Sequence, residues 1–148
     1  MLRKACLVIA GVLSLSTAWA ADRPDVQFYG PGSAKRPFSE AVRVGNVLYL
    51  SGQIGIRTDG QKADIEEQTK NAMDRISQSL AKAGSSLDAV FKCTIMLADM
   101  NQWEGFNKVY ASYFKPERLP ARSAFQVAGL FGGAAFEMEC MAYAPASR

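Results

Sequence analysis

An α+β domain, with two helices packed on one face of a mixed β-sheet, is the fold class this sequence predicts. Three observations carry the prediction. β-rich runs stand at both ends of the chain, two amphipathic helical segments lie between them, and one further β-rich run separates those helices. Two helices cover only one face of such a sheet. The last β-rich runs read as apolar on both faces, so the second face needs cover, and a second copy of the chain is its natural source.

Taken in order, "ADRPDVQFYGPGSAKRPFSE" is rich in Pro, Gly and charge and reads as an arm with one short strand at Val26–Phe28. "AVRVGNVLYLSGQIGI" alternates about Gly45-Asn46, a two-residue turn pair, and predicts a β-hairpin. "DIEEQTKNAMDRISQSLAKAG" predicts a helix. Asp64 caps it with Glu67 in the capping-box position, Ile65, Ala72, Met73, Ile76, Leu80 and Ala83 share one face, and Gly84 stops it. "SSLDAVFKCTIMLADM" opens with a short helical turn and continues as a strand over Phe91–Leu97. A second helix covers about residues 101–114, with Trp103, Phe106, Tyr110 and Tyr113 at spacings of three and four. Such an aromatic stripe is the pattern of a core face. "KPERLP" ends that helix, and strands over Arg122–Ala128 and Phe136–Tyr143 follow on either side of "GLFGG".

The first residues, "MLRKACLVIAGVLSLSTAWA", have a basic start at Arg3 and Lys4, an apolar run, and a small-x-small ending at Ala18-Trp19-Ala20. These are the three parts of a secretory signal peptide. The apolar run is shorter than the ~20 residues of a membrane-spanning helix. The expectation is a leader over residues 1–20, a single domain over 21–148, and a periplasmic or secreted protein with no membrane association after cleavage. Residues 21–148 carry 15 basic and 14 acidic side chains. That near balance, without a basic stripe, argues against nucleic acid as a partner. The chain has no histidine, which removes Ser-His-Asp and Cys-His catalysis and any His-ligated metal site. Cys93 and Cys140 lie in apolar strand-like runs, and two buried free thiols are the narrowly favoured expectation over a disulfide.

The stretch "LPARSAFQVAGLFGGAAFEMECMA" places Arg122, Glu137 and Glu139 among apolar and small residues. A charge in such a setting needs a partner or a task. Two readings stand at this point: a structural ion pair between Arg122 and one of the glutamates, or a site that binds an anion. Glu137 and Glu139, two apart, share one face if the strand is regular, and a bulge would separate them.

The segments "RPFSEAV", "GNVLYLSGQI", "QTKNAMDRI", "AKAGSSLDAVFKCTIMLADM", "FNKVYASYF", "LPARSAFQVAGL" and "FEMECMA" occur together and in this order. As a set they resemble the RidA/YjgF family of reactive-intermediate deaminases. The resemblance implies a chorismate-mutase-like α+β fold and a homotrimer with a central β-barrel. It also implies sites in the clefts between subunits and a small imino or keto acid as the partner molecule; since an imine is already activated, no cofactor and no metal are expected. The implied reaction is hydrolytic deamination of enamine and imine intermediates of the 2-aminoacrylate and 2-iminopropanoate type to the keto acid and ammonia. By the same resemblance Arg122 grips the substrate carboxylate and Glu137 handles the attacking water. Phe38, Ser51, Gly52, Asn107 and Ala124 line the pocket, Ala124 through its backbone. Phe38 stands where the family commonly has tyrosine and Phe131 where it has proline, which reshapes the pocket wall. The residue types suit the chemistry: arginine's planar fork binds a carboxylate through two parallel hydrogen bonds, and one carboxylate serves as acid and base for an already electrophilic imine carbon. The alternative is a non-catalytic module that holds a small carboxylate or keto acid in the same cleft.

Overall fold

In the computed structural model, which describes residues 25–144 apart from 31, 35, 58, 60 and 62, nine regular strands and helices follow the expected order. They are β1 (Val26–Tyr29), β2 (Ala41–Val44), β3 (Val47–Leu50), β4 (Gln53–Ile54), α1 (Ile65–Lys82), β5 (Val90–Leu97), α2 (Trp103–Ser112), β6 (Ala121–Gln126) and β7 (Phe136–Tyr143). The proposed leader lies outside the described residues. The strands form one sheet in the order β1-β2-β3-β7-β5-β6, with β4 also paired to β7. Only β5 and β6 run parallel, joined through α2; the other pairs are antiparallel.

Local chemistry sets the helix ends. The Asp64 carboxylate accepts from the Glu67 backbone N–H at 2.8 Å, which satisfies one orphan donor of α1. At the other end Gly84 takes φ +73°, a conformation other residues adopt only with strain. Between them Ala72, Met73, Ile76 and Leu80 are buried against the sheet. Polar side chains of α1 also tie down the loops around the sheet. Arg75 donates to the carbonyls of Ile54 and Ile56, and Asn71 to that of Gly55. The buried Gln68 donates to Ala63 O and accepts from Ala135 N.

Both helices lie on one sheet face. There Leu48, Leu50, Cys93, Ile95, Leu97, Phe136, Met138, Cys140 and Ala142 form the core with Phe106 and Tyr110 of α2. Phe106 meets Phe136 edge-on, with ring centroids 4.9 Å apart. The opposite face of β7 is not wholly apolar: it carries Glu137 and Glu139 beside Met141 and Tyr143. Tyr49, Phe125 and Tyr143 stand exposed on that side, 44 to 50% accessible.

The two cysteines are joined. Cys93 on β5 and Cys140 on β7 are register partners, with Cα atoms 4.1 Å apart, and form a disulfide. The expectation of two free thiols is therefore corrected. The residues stand 47 apart in sequence, and only the β5–β7 register makes them neighbours.

Peptide mapping without reduction should recover Cys93 and Cys140 in one linked fragment. Replacing both by alanine opens a 47-residue loop in the unfolded chain and should cost about 3–4 kcal/mol in chemical denaturation. Two separate free thiols found without any reducing treatment would contradict the pairing.

Candidate functional site

Arg122 is held by one helix face. It lies on β6 opposite Cys93 of β5, on the side of the sheet that packs against the helices. Its Nη1 donates to Oδ1 of Asn107 at 2.7 Å. Its Cζ sits 4.5 Å from the ring centre of Trp103 and 5.0 Å from that of Tyr110. Positions 103, 107 and 110 follow one another around a single helical face, so a regular α2 presents all three to the arginine. Ala124, two residues on, shares this side of β6 and packs against the core. Among the described residues no carboxylate lies within ion-pair distance of Arg122.

Glu137 stands on the other face of the sheet. β7 alternates strictly, burying Phe136, Met138 and Cys140 toward the helices and turning Glu137 and Glu139 away. The expected common face of the two glutamates is what the strand shows. They differ in surroundings. Glu137 presses on the segment between β3 and β4, where a Cβ on Gly52 would overlap its Oε1. Glycine at 52 thus leaves room for the carboxylate. Glu139 lies one repeat further along, exposed, at a small hollow with Tyr49, Lys92 and Thr94. Ser51 donates through Oγ to Ser39 O at 2.6 Å, and its N–H bonds to Glu40 O at 3.0 Å. These bonds bring the Phe38–Ser39 turn beside Ser51, with the Phe38 ring half exposed.

The predicted residues thus fall into two groups. Phe38, Ser51, Gly52 and Glu137 cluster around the end of β3, and Arg122, Asn107 and Ala124 cluster at β6 and α2. Two strand spacings separate Arg122 from Cys140 across the sheet, and three residues separate Cys140 from Glu137 along β7. Each offset amounts to about 10 Å, and the two side chains point to opposite faces. An ion pair between them inside one chain is ruled out, as is one between Arg122 and Glu139.

Trp103 and Tyr110 belong beside Arg122, although the sequence placed them with the core. Phe106 and Tyr110 are buried in the core as expected, but Trp103 is only half buried and Tyr110 turns toward the arginine. The available signal was Asn107 within the aromatic stripe, a polar residue on a face otherwise built for packing. The Tyr110 hydroxyl is buried without a hydrogen-bond partner among the described residues. Burial raises its pKa, and the Arg122 charge works in the opposite direction.

Residues 31–144 match the family profile described as Endoribonuclease L-PSP. A RutC family protein of Pyrococcus abyssi is 43% identical over 110 residues, 72% of this chain and 86% of that protein. The mouse protein named 2-iminobutanoate/2-iminopropanoate deaminase is 39% identical over 109 residues, 72% of this chain and 80% of its own. Among solved structures, a Rid family protein from Yersinia pestis superposes with TM-score 0.73 at 35% identity, over 80% of this chain and 99% of that one. A YjgF family member from Neisseria meningitidis shares the fold with TM-score 0.73 at 24% identity, over 84% and 99% of the two chains. The fold is that of the YjgF proteins, and the chain belongs to the RidA/YjgF family.

Because neither charge neutralises the other within the chain, Arg122→Lys and Glu137→Gln should each change unfolding free energy by less than about 1–2 kcal/mol, not the ~3–5 kcal/mol of a broken buried pair. Thermal and urea unfolding of both variants checks this. A loss of the larger size in both would mean that each side chain is half of a structural ion pair, within the chain or across subunits.

Proposed function

We propose that this protein hydrolyses imines of 2-keto acids to the keto acid and ammonia, at sites completed between subunits of a homotrimer. The observation that carries the reading is Arg122: half buried, held by Asn107 and two aromatic rings, and without a carboxylate partner among the described residues. A fixed guanidinium with in-plane donors to spare suits a small planar carboxylate. Family membership, and relatives named 2-iminobutanoate/2-iminopropanoate deaminase in mouse and human, supply the reaction class.

The chemistry follows from the two groups. Arg122 takes the substrate carboxylate and so fixes the neighbouring imine carbon. Glu137 accepts a proton from water as the oxygen bonds to that carbon and the C=N π electrons move to nitrogen. The carboxyl then returns the proton to nitrogen, giving a carbinolamine; it next takes the proton of the new hydroxyl and passes it to the amine, so that the C–N bond breaks as the carbonyl forms and ammonia leaves. 2-Aminoacrylate enters through its imine tautomer, a proton moving from nitrogen to the terminal carbon. Asn107 orients Arg122, Ser51 and Gly52 shape the wall beside Glu137, and Phe38 and Ala124 border the pocket.

The opposed faces of Arg122 and Glu137 support the trimer. One substrate cannot touch both side chains of one chain, so the arginine of one subunit serves with the glutamate of its neighbour. The exposed sheet face with Tyr49, Phe125 and Tyr143 supports burial by further copies.

Freshly generated 2-iminopropanoate should yield pyruvate faster with the protein than without it, and Arg122→Lys and Glu137→Gln should each lower the rate at least ~100-fold. Co-refolding equal amounts of the two variants should restore about a quarter of the wild-type activity, since about three quarters of random trimers are mixed and each holds one intact arginine–glutamate pair. No recovery on mixing would overturn the shared site. Keto-acid binding without acceleration would favour the non-catalytic module.

Export with removal of residues 1–20 belongs to the same proposal. It draws on the leader-like N-terminus and on the Cys93–Cys140 disulfide, a bond that persists in oxidising compartments. The exported protein should begin at Ala21 on N-terminal sequencing; a product that keeps Met1 would refute cleavage.

A further inference from the structure

We propose that Trp103 and Tyr110 are positioning residues for substrate binding: their rings hold the face of the Arg122 guanidinium and leave its edge to the incoming carboxylate. The inference rests on the reading of Arg122 as the carboxylate-binding group and adds what keeps that group in place. A guanidinium at the end of an arginine side chain has several rotatable bonds behind it, and only a fixed plane makes its fork selective for a planar anion. In this chain the usual fixing partner, a carboxylate, is absent from its surroundings among the described residues. The groups that take its place are Asn107, which accepts from one Nη, and the two rings, both within the ~6 Å range in which an aromatic face attracts a cation.

A carboxylate partner would occupy the in-plane donors and compete with substrate. An aromatic face binds the cation from above its plane and leaves those donors open. Trp103 is partly buried, packs against the core beside Phe106, and presents its ring to Arg122 as well. The Tyr110 hydroxyl bonds to nothing among the described residues, which leaves its ring as the part that acts on Arg122. The Tyr110 pKa responds to the same charge, lowered by Arg122 against a larger upward push from burial.

The sequence offers a direct probe. The chain has two tryptophans, Trp19 and Trp103, so full-length protein carrying Trp19→Phe reports from Trp103 alone. Titration with 2-oxobutanoate should produce a saturable change in Trp103 emission, because a carboxylate on Arg122 alters the charge 4.5 Å from the indole. The change should vanish in Arg122→Ala. Trp103→Leu, which keeps bulk without a π face, should raise KM for 2-iminopropanoate and weaken 2-oxobutanoate binding by calorimetry about tenfold, with a smaller effect on kcat. Trp103→Phe, which restores a π face, should recover most of that loss at similar thermal stability. Equal defects in the Leu and Phe variants, or saturable binding that leaves Trp103 emission unmoved, would overturn the inference. If Trp103→Leu fails to fold, the emission titration decides alone. If the unmutated protein binds no 2-oxobutanoate, the reading of Arg122 itself fails, a result distinct from binding that ignores Trp103.

Discussion

Strands β5 and β7 run antiparallel side by side in the sheet, and the strands on either side take their places from that pairing. Its register sets Cys93 against Cys140, buries Ile95 and Met138 side by side under the helices, and turns Glu137 to the far face. β6 then adds in parallel to β5, which puts Arg122 beside Cys93. β3 and β4 add to β7, which brings Gly52 against Glu137. A one-residue slip between β5 and β7 would reverse the faces of every side chain on one of them. The disulfide is a covalent lock on that register.

The alternation of a strand divides the candidate site. Arg122 and Ala124 face the helices, and Glu137 faces away, because successive side chains of an extended chain point to opposite sides. The division has an electrostatic consequence. An arginine and a glutamate on the same side of neighbouring strands would satisfy each other and bind nothing. Kept apart, neither neutralises the other within the chain. The cost of keeping an uncompensated guanidinium half buried is offset by Asn107 and the rings of Trp103 and Tyr110, none of which carries a charge that would block an anion.

Glycine and small polar groups complete the other half. Gly52 is the residue that allows the Glu137 carboxylate its position, since any Cβ there would occupy the same space. Ser51 ties the Phe38–Ser39 turn to the end of β3 through Ser39 O and Glu40 O. From beneath, Arg75 and Asn71 of α1 hold the carbonyls of residues 54 to 56, and Gln68 holds the turn before β7. The segment after β4 and the turn before β7 are therefore anchored by polar side chains of one helix, and these backbone bonds satisfy the buried Gln68 amide.

The sequence by itself determined the elements, their order and the faces they present. Capping at Asp64, the stop at Gly84, the apolar stripe of α1 and the common face of Glu137 and Glu139 are local matters, governed by helical and strand periodicity and by hydrogen bonds a few residues long. The set of motifs around Arg122 and Glu137 also carried the family. Tertiary structure alone decided what depends on register between distant segments. The pairing of Cys93 with Cys140 spans 47 residues, and nothing near either cysteine records it. Whether Arg122 meets Glu137 or Asn107 turns on which side of the sheet each strand presents once paired. Trp103 shows the same limit within one helix. Its spacing assigns it to the apolar stripe, but only the placement of α2 over β6 shows that the stripe ends on a cation.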